Sequence, residues 1–325
     1  MLSEITSTKA GARDPLAWSD HAWCRTAGST READTSQARM HAMLTWLRER
    51  GAAAIPHAVG SFLDHLFGTW RILTVWGQPH DLRLCGLFHS VLATDMFERP
   101  LVGPDAIPEL RALVGDVALD LVVLFCTVDR LALAATCADL EALPAEGLRV
   151  TNFRTGERAM LSAPSLADLL VIEIANEAEQ SGSVTDGPAA WMALGAHLAR
   201  LAGPFARRRP PMFDRCSSLL PPGAEARAIE RFRTLSVDDP ASNREADVLE
   251  VCRLNPFAAE PKILFAERAL ARRRFAEADS YAVAGLELLA QWGTPWDKRY
   301  PWEVWIARAG RVIELARAAD PKGAG

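Results

Sequence analysis

Apolar residues recur at the three- and four-residue spacing of a helix almost without interruption from Gln37 to Ala318. That single pattern confines the chain to helical architectures. The alternating strand–helix order of a nucleotide-binding α/β domain is missing, as are G-x-G-x-x-G, G-x-x-x-x-G-K-[ST] and G-x-S-x-G motifs. The predicted class is therefore all-α. Helices are expected over Gln37–Arg50, Ser61–Trp76, Leu82–Leu92, Val117–Ala135, Ser165–Gln180 and Pro188–Ala202. Ser61 with Asp64 forms a capping-box pattern, Asp81 is the expected cap of the third helix, and Gly51 and Gly77 are stop signals. Only Leu148–Leu161, with alternating residues around Arg154-Thr155-Gly156-Glu157, reads as a small hairpin.

Two segments break the helical pattern at domain scale. Residues 1–36 are rich in Ser, Thr, Gly and charge and read as a flexible arm. Gly203–Gly223 (GPFARRRPPMFDRCSSLLPPG) is too rich in proline to stay helical and reads as a linker over 204–223. Its run Arg207–Arg209 is expected to be solvated, with a phosphate site as the less favoured alternative. A first helical domain then spans 37–203 and a second 224–319. In the second, Phe265-Ala266, Ala269, Phe275, Ala278 and Leu286 fall at the offsets of a tetratricopeptide (TPR) repeat. Trp292, Trp296, Trp302 and Trp305 read as a packed cap on its end.

Composition narrows the function classes. Lys and Arg number 36 against 41 Asp and Glu, a formal net charge of −5, so binding to nucleic acid through overall charge is not expected. No signal-peptide pattern opens the chain, and the longest apolar run, Val117–Ala135, is broken by Asp120, Asp129 and Arg130. A membrane span needs ~20 apolar residues, so none is expected. The six cysteines show neither C-x-x-C pairs nor zinc spacing, and the expected setting is the reducing cytoplasm.

The chemistry concentrates in residues 57–95, HAVGSFLDHLFGTWRILTVWGQPHDLRLCGLFHSVLATD. His65 shares a helical stripe with Thr69, Ile72 and Trp76, and His89 sits in a helix apolar on nearly every side. Two such histidines on facing helices can converge on a metal or make a hydrogen-bonded core contact. The run H-x-x-x-x-x-x-x-L-x-x-W-G followed by L-x-L-C-G-L-F-H-S resembles the opening of HD-domain proteins. The hydrolase domain of guanosine tetraphosphate synthetase/hydrolases is the most similar family. LVGPDAIPELRALVGDVALDLVVLFCTVDRL and ADLLVIEIANEAEQ are similar to its later segments, in the same order over residues 57–180.

Carried over by position, the resemblance implies a site of His65, His89, Ser90 and Asn176. The family has Asp at the last two places, so a divalent ion would be held more weakly here. Ala93 and Thr94 stand where the family has an acidic pair, with Asp95 one residue later. His57, eight residues before His65, falls near a basic residue of the family and would make a three-His metal site with His65 and His89. Asp95 and Glu173 are the candidate catalytic carboxylates, and Ser90 and Asn176 the candidate ligand-binding groups. The expected cofactor is a divalent metal, Fe, Mn or Zn. The resemblance implies a metal-dependent enzyme, a hydrolase by default or an oxygenase variant, acting on a small anionic molecule, phosphorylated or otherwise. The alternative is a non-catalytic ligand sensor or scaffold that binds a protein or peptide through its TPR-like helices.

Overall fold

A computed structural model describes residues 37–57, 60–181, 191–210, 212–213, 220–221 and 223–319. Among these the chain is all-α, with thirteen α-helices and two small two-stranded ribbons. The expected arm at 1–36 and the expected helix start at Pro188 lie outside the described residues. No helix among the described residues is long and apolar enough to cross a membrane.

Helix α1 spans Gln37–Glu49 and α2 spans Phe62–Val75. The ribbon between them pairs β1 (Pro56–His57) with β2 (Gly60–Ser61). The capping box is formed: Ser61 Oγ accepts from the Asp64 amide at 3.2 Å, and the Asp64 carboxylate accepts from the Ser61 amide at 3.0 Å. Helix α3 covers His80–Phe88 and starts from Pro79, not from a cap by Asp81. It also stops four residues earlier than expected. Ala93 takes a positive φ of 66°, and the amides of Leu101 and Val102 donate to the Val91 carbonyl, so a returning loop replaces the last helical turn.

Helix α4 is Ile107–Val114. The single helix expected over Val117–Ala135 is two, α5 (Asp116–Thr127) and α6 (Arg130–Ala138). Asp129 divides them, because its side chain accepts from the Ala132 amide at 2.9 Å and its own amide donates to the Thr151 carbonyl at 2.8 Å. The expected hairpin is present as β3 (Leu148–Thr151) and β4 (Arg158–Leu161), in register Leu148 with Leu161. Helix α7 (Ala163–Gln180) is capped by Ser162, and α8 covers Trp191–Ala202.

In the described part of the Pro/Arg segment Arg207, Arg208 and Arg209 are exposed, as expected, but they are also docked through their side chains. Arg207 bridges Asp81 of α3 at 2.8 Å and Asp168 of α7 at 2.9 Å. Arg208 donates to the Gly77 carbonyl at 2.6 Å and its own carbonyl accepts from Gln78 at 2.9 Å. Phe213 is buried edge-on against Trp76 and Trp292. With two carboxylates on it, Arg207 is already neutralised and does not belong to an open phosphate site.

The remaining helices are α9 (Ala224–Phe232), α10 (Glu245–Leu254), α11 (Glu260–Ala271), α12 (Phe275–Trp292) and α13 (Trp302–Ala319). Ala266, Ala269, Ala278 and Ala282 are all buried between α11 and α12. A Cβ on Gly285 would lie 2.8 Å from Ile263, so a residue without a side chain is what permits this approach. The tryptophans form a packed layer: Trp292, Trp302 and Trp305 donate their indole N–H to the carbonyls of Phe257, Leu289 and Asp297, and Trp296 donates to Glu225. This layer meets α2, whose Arg71 donates to the Gly293 carbonyl at 3.0 Å and pairs with Glu303 at 2.8 Å.

The carboxyls of Glu225, Glu260 and Asp297 are buried in that layer. Glu260 accepts from the amides of Trp296 and Asp297, while its second oxygen is buried with no partner among the described residues. Burial raises its pKa to about 7, against 4.5 when exposed. The folded state therefore keeps a proton that the unfolded state has lost, so stability falls as pH rises from about 4.5 to 7. That difference is worth about 3 kcal/mol. Glu260→Gln should remove this part of the pH dependence. Denaturant melts of both proteins at pH 5 and pH 8 should show the wild type losing about that much more stability than the variant.

Candidate functional site

Three buried polar side chains meet where α2, α3 and α7 pack together: His65, 4 % exposed, His89, fully buried, and Asn176, 2 % exposed. Each is placed by ordinary helix chemistry. The Ser61–Asp64 box sets the start of α2, and so its rotation, one turn before His65. His89 is the residue at which α3 ends. Asn176 faces inward from an α7 whose Ile172, Ala175 and Ala178 are buried beside it.

His65 Nε2 lies 3.0 Å from His89 Nε2, which in turn lies 3.0 Å from Asn176 Oδ1. The far side of each ring assigns its tautomer. His89 Nδ1 is 2.8 Å from the Gly86 carbonyl, which can only accept, so that nitrogen carries the proton. His65 Nδ1 faces the Glu179 carboxylate in the same way. Burial holds the His89 pKa well below its ordinary value, with the nearby His65 adding to the effect, so His89 is neutral. Its Nε2 then presents a lone pair to the His65 nitrogen and to the Asn176 oxygen. The second amide atom of Asn176, Nδ2, is buried with no partner among the described residues.

Acceptors that face one another call for a proton or a metal ion between them. For metal–ligand bonds of ~2.1 Å, donors at right angles lie about 3.0 Å apart and donors at the tetrahedral angle about 3.4 Å. The observed spacing fits the former. Among the described residues no three His, Cys, Asp or Glu side chains form a metal-holding group, so the donor set is two imidazoles and an amide oxygen. Such a set carries no charge and suits borderline transition metals better than hard cations.

His57 stands beside this group. Its ring stacks on His65 with centroids 4.1 Å apart and planes 15° from parallel. A point in the plane of the His65 ring therefore lies off the His57 plane, and His57 does not share it as a ligand. The β1–β2 ribbon folds His57 back over the first turn of α2, where Phe97 also packs on it. Burial, helped by His65 and opposed by Glu179, lowers its pKa to about 4, so it is neutral at pH 7. Its Nδ1 is buried without a partner among the described residues.

The other predicted residues have structural partners. Asp95 accepts from the amides of Arg130 and Leu131 at 2.8 and 3.2 Å and so caps α6. Glu173 pairs with Arg130 at 2.7 Å, and its second oxygen is buried without a partner among the described residues. Ser90 is buried in the turn after His89, and its carbonyl accepts from the Ala93 amide at 3.1 Å. Arg130 lies over the Phe125 ring at 4.7 Å, and His89 packs edge-on against the same ring. Glu179 was not singled out from the sequence. The available signals were its position three residues after Asn176 on α7 and Gly68 in the interior of α2.

A cap and a proton carrier respond differently to truncation. Asp95→Ala should cost about 1 kcal/mol of stability, read from chemical denaturation, and leave any metal content unchanged.

Residues 46–130 match the model of a family described as a domain of unknown function (DUF6817). The matched stretch runs from Trp46 in α1 to the first residue of α6 and includes His57, His65, His89, Ser90 and Asp95. No curated protein and no solved structure matches the chain.

Proposed function

We propose that this chain is a metal-dependent enzyme of HD-like architecture, with His65, His89 and Asn176 as the protein ligands and a small anionic molecule as substrate. The observation that carries this reading is the 3.0 Å convergence of Nε2, Nε2 and Oδ1, with the opposite ring nitrogens engaged by Gly86 and Glu179. Imidazole ligands whose second nitrogen is held by a carbonyl or a carboxylate are the usual arrangement of protein metal sites. A bound divalent cation supplies Lewis acidity, and uncharged ligands leave its charge undiminished toward an anion. Arg130, beside His89 over Phe125, is paired with Glu173 and keeps its Nε buried and without a partner among the described residues, a donor left for an anion. His57 is the base of the site in this reading: it is neutral at pH 7 and has an unused Nδ1. Hydrolysis is the default reaction, by analogy with HD enzymes alone.

One observation favours a second reading. Asp95 and Glu173, the carboxylates expected to move protons, are both tied to structural partners. A ligand-sensing protein, with the helices of residues 224–319 presented to a protein partner, would keep the metal centre and show no turnover.

Elemental analysis of tag-free protein purified without chelators, after reconstitution with Fe, Mn or Zn, tests both. Near-stoichiometric metal is expected in wild type, falling at least tenfold in His65→Ala and in His89→Ala. Metal-free, well-folded wild type after reconstitution overturns both forms of the centre. Release of phosphate from phosphate esters, or uptake of oxygen, by the loaded protein then separates hydrolase from oxygenase, and neither from any anion offered supports the sensor.

A further inference from the structure

The charged side chain of Glu179 contacts the three-residue cluster at His65, and its approach depends on a gap in the facing helix. Its carboxylate meets His65 Nδ1 across the α2–α7 interface, with Glu179 20 % exposed and His65 4 % exposed. Directly beneath it α2 carries Gly68. A Cβ at that position would lie 2.6 Å from the Glu179 Cγ and 2.8 Å from its Oε1, closer than real Cβ atoms come. Glycine inside a helix costs roughly 1 kcal/mol relative to alanine. At Gly68 that cost coincides with the one place where a side chain would push Glu179 off His65.

Two cations lie within electrostatic range of this carboxylate: Lys298, 9 % exposed in the loop between α12 and α13, and Arg71 of α2. Lys298 itself donates to Thr294, and Glu260 fixes the amides of Trp296 and Asp297 in the same loop, which is therefore anchored. A buried histidine with a structural task alone needs no carboxylate at its back and no glycine to admit one.

We propose that Glu179 is a positioning residue: through the gap at Gly68 it binds His65 Nδ1–H, fixes the ring, and keeps His65 Nε2 free to act as a donor toward His89 and Asn176. The inference rests on the reading of His65 as a ligand for its consequence, but the fixed ring can be measured without any metal. Carboxylates in this place typically contribute 10–100-fold to metal affinity.

The experiment uses full-length protein at one fixed pH. Imidazole 15N shifts are recorded on metal-free samples, and Zn2+ dissociation constants are obtained by chelator competition. Wild type should show His65 protonated at Nδ1 alone. In Glu179→Ala a population protonated at Nε2 should appear, and Zn2+ binding should weaken 10–100-fold. Glu179→Gln keeps an acceptor without the charge, so it should recover part of both losses, and it serves if the alanine variant does not fold. Gly68→Ala leaves every charge in place yet should behave like Glu179→Ala. An unchanged His65 tautomer and a Zn2+ constant within about twofold of wild type in the Glu179 variants would overturn the proposal. Wild type that binds no Zn2+ but shows a Glu179-dependent tautomer would overturn the metal reading and leave the positioning role standing.

Discussion

Two imidazoles and an amide packed into the seam of three apolar helices set the terms for the rest of this molecule. Polar groups removed from water destabilise a fold unless each finds a partner. Here the partners come from every side: the end of α3 through the Gly86 carbonyl, α7 through Glu179, and Phe125 of α5 and Phe97 as apolar walls. The cluster is satisfied along its rim, and its inward-facing atoms present lone pairs to one another. A core that needed only packing would have apolar side chains at these positions. That unmet demand at the centre is the observation on which the proposed metal site rests.

The second half of the chain is tied to the same cluster. Arg71 binds the Gly293 carbonyl and Glu303, Phe213 and Trp191 pack on Trp292, and Lys298 lies within electrostatic reach of Glu179. The division near residue 203, clear from proline content, marks a change of path and not a loss of contact. One buried core runs through both halves.

How much of this was legible in the sequence follows from how local each determinant is. The helical class, the Ser61–Asp64 box and the hairpin around Gly156 depend on neighbours a few residues apart, and the chain shows all three. The resemblance of segment order points to His65, His89, Ser90 and Asn176 together; His65 and Asn176 each lie within hydrogen-bonding distance of His89, while Ser90 is buried in the turn that follows it. The division of α5 from α6 was hidden because the Asp129 amide pairs with Thr151, more than twenty residues on, while the apolar pattern runs through. The stacking of His57 on His65 depends on a two-residue ribbon too short to leave a periodic signal. Glu179 was hidden for a related reason: its role is written in a side chain missing from another helix.

The clasp made by Arg207 bears on how the molecule is made. Asp81 and Asp168 are both largely buried, and burial lifts Asp168 to about 6 even with the guanidinium beside it. Residue 207 follows both helices it joins, and its guanidinium is what pairs their two carboxylates, so the α3–α7 seam that carries His89 and Asn176 is complete only once the chain has grown past α8.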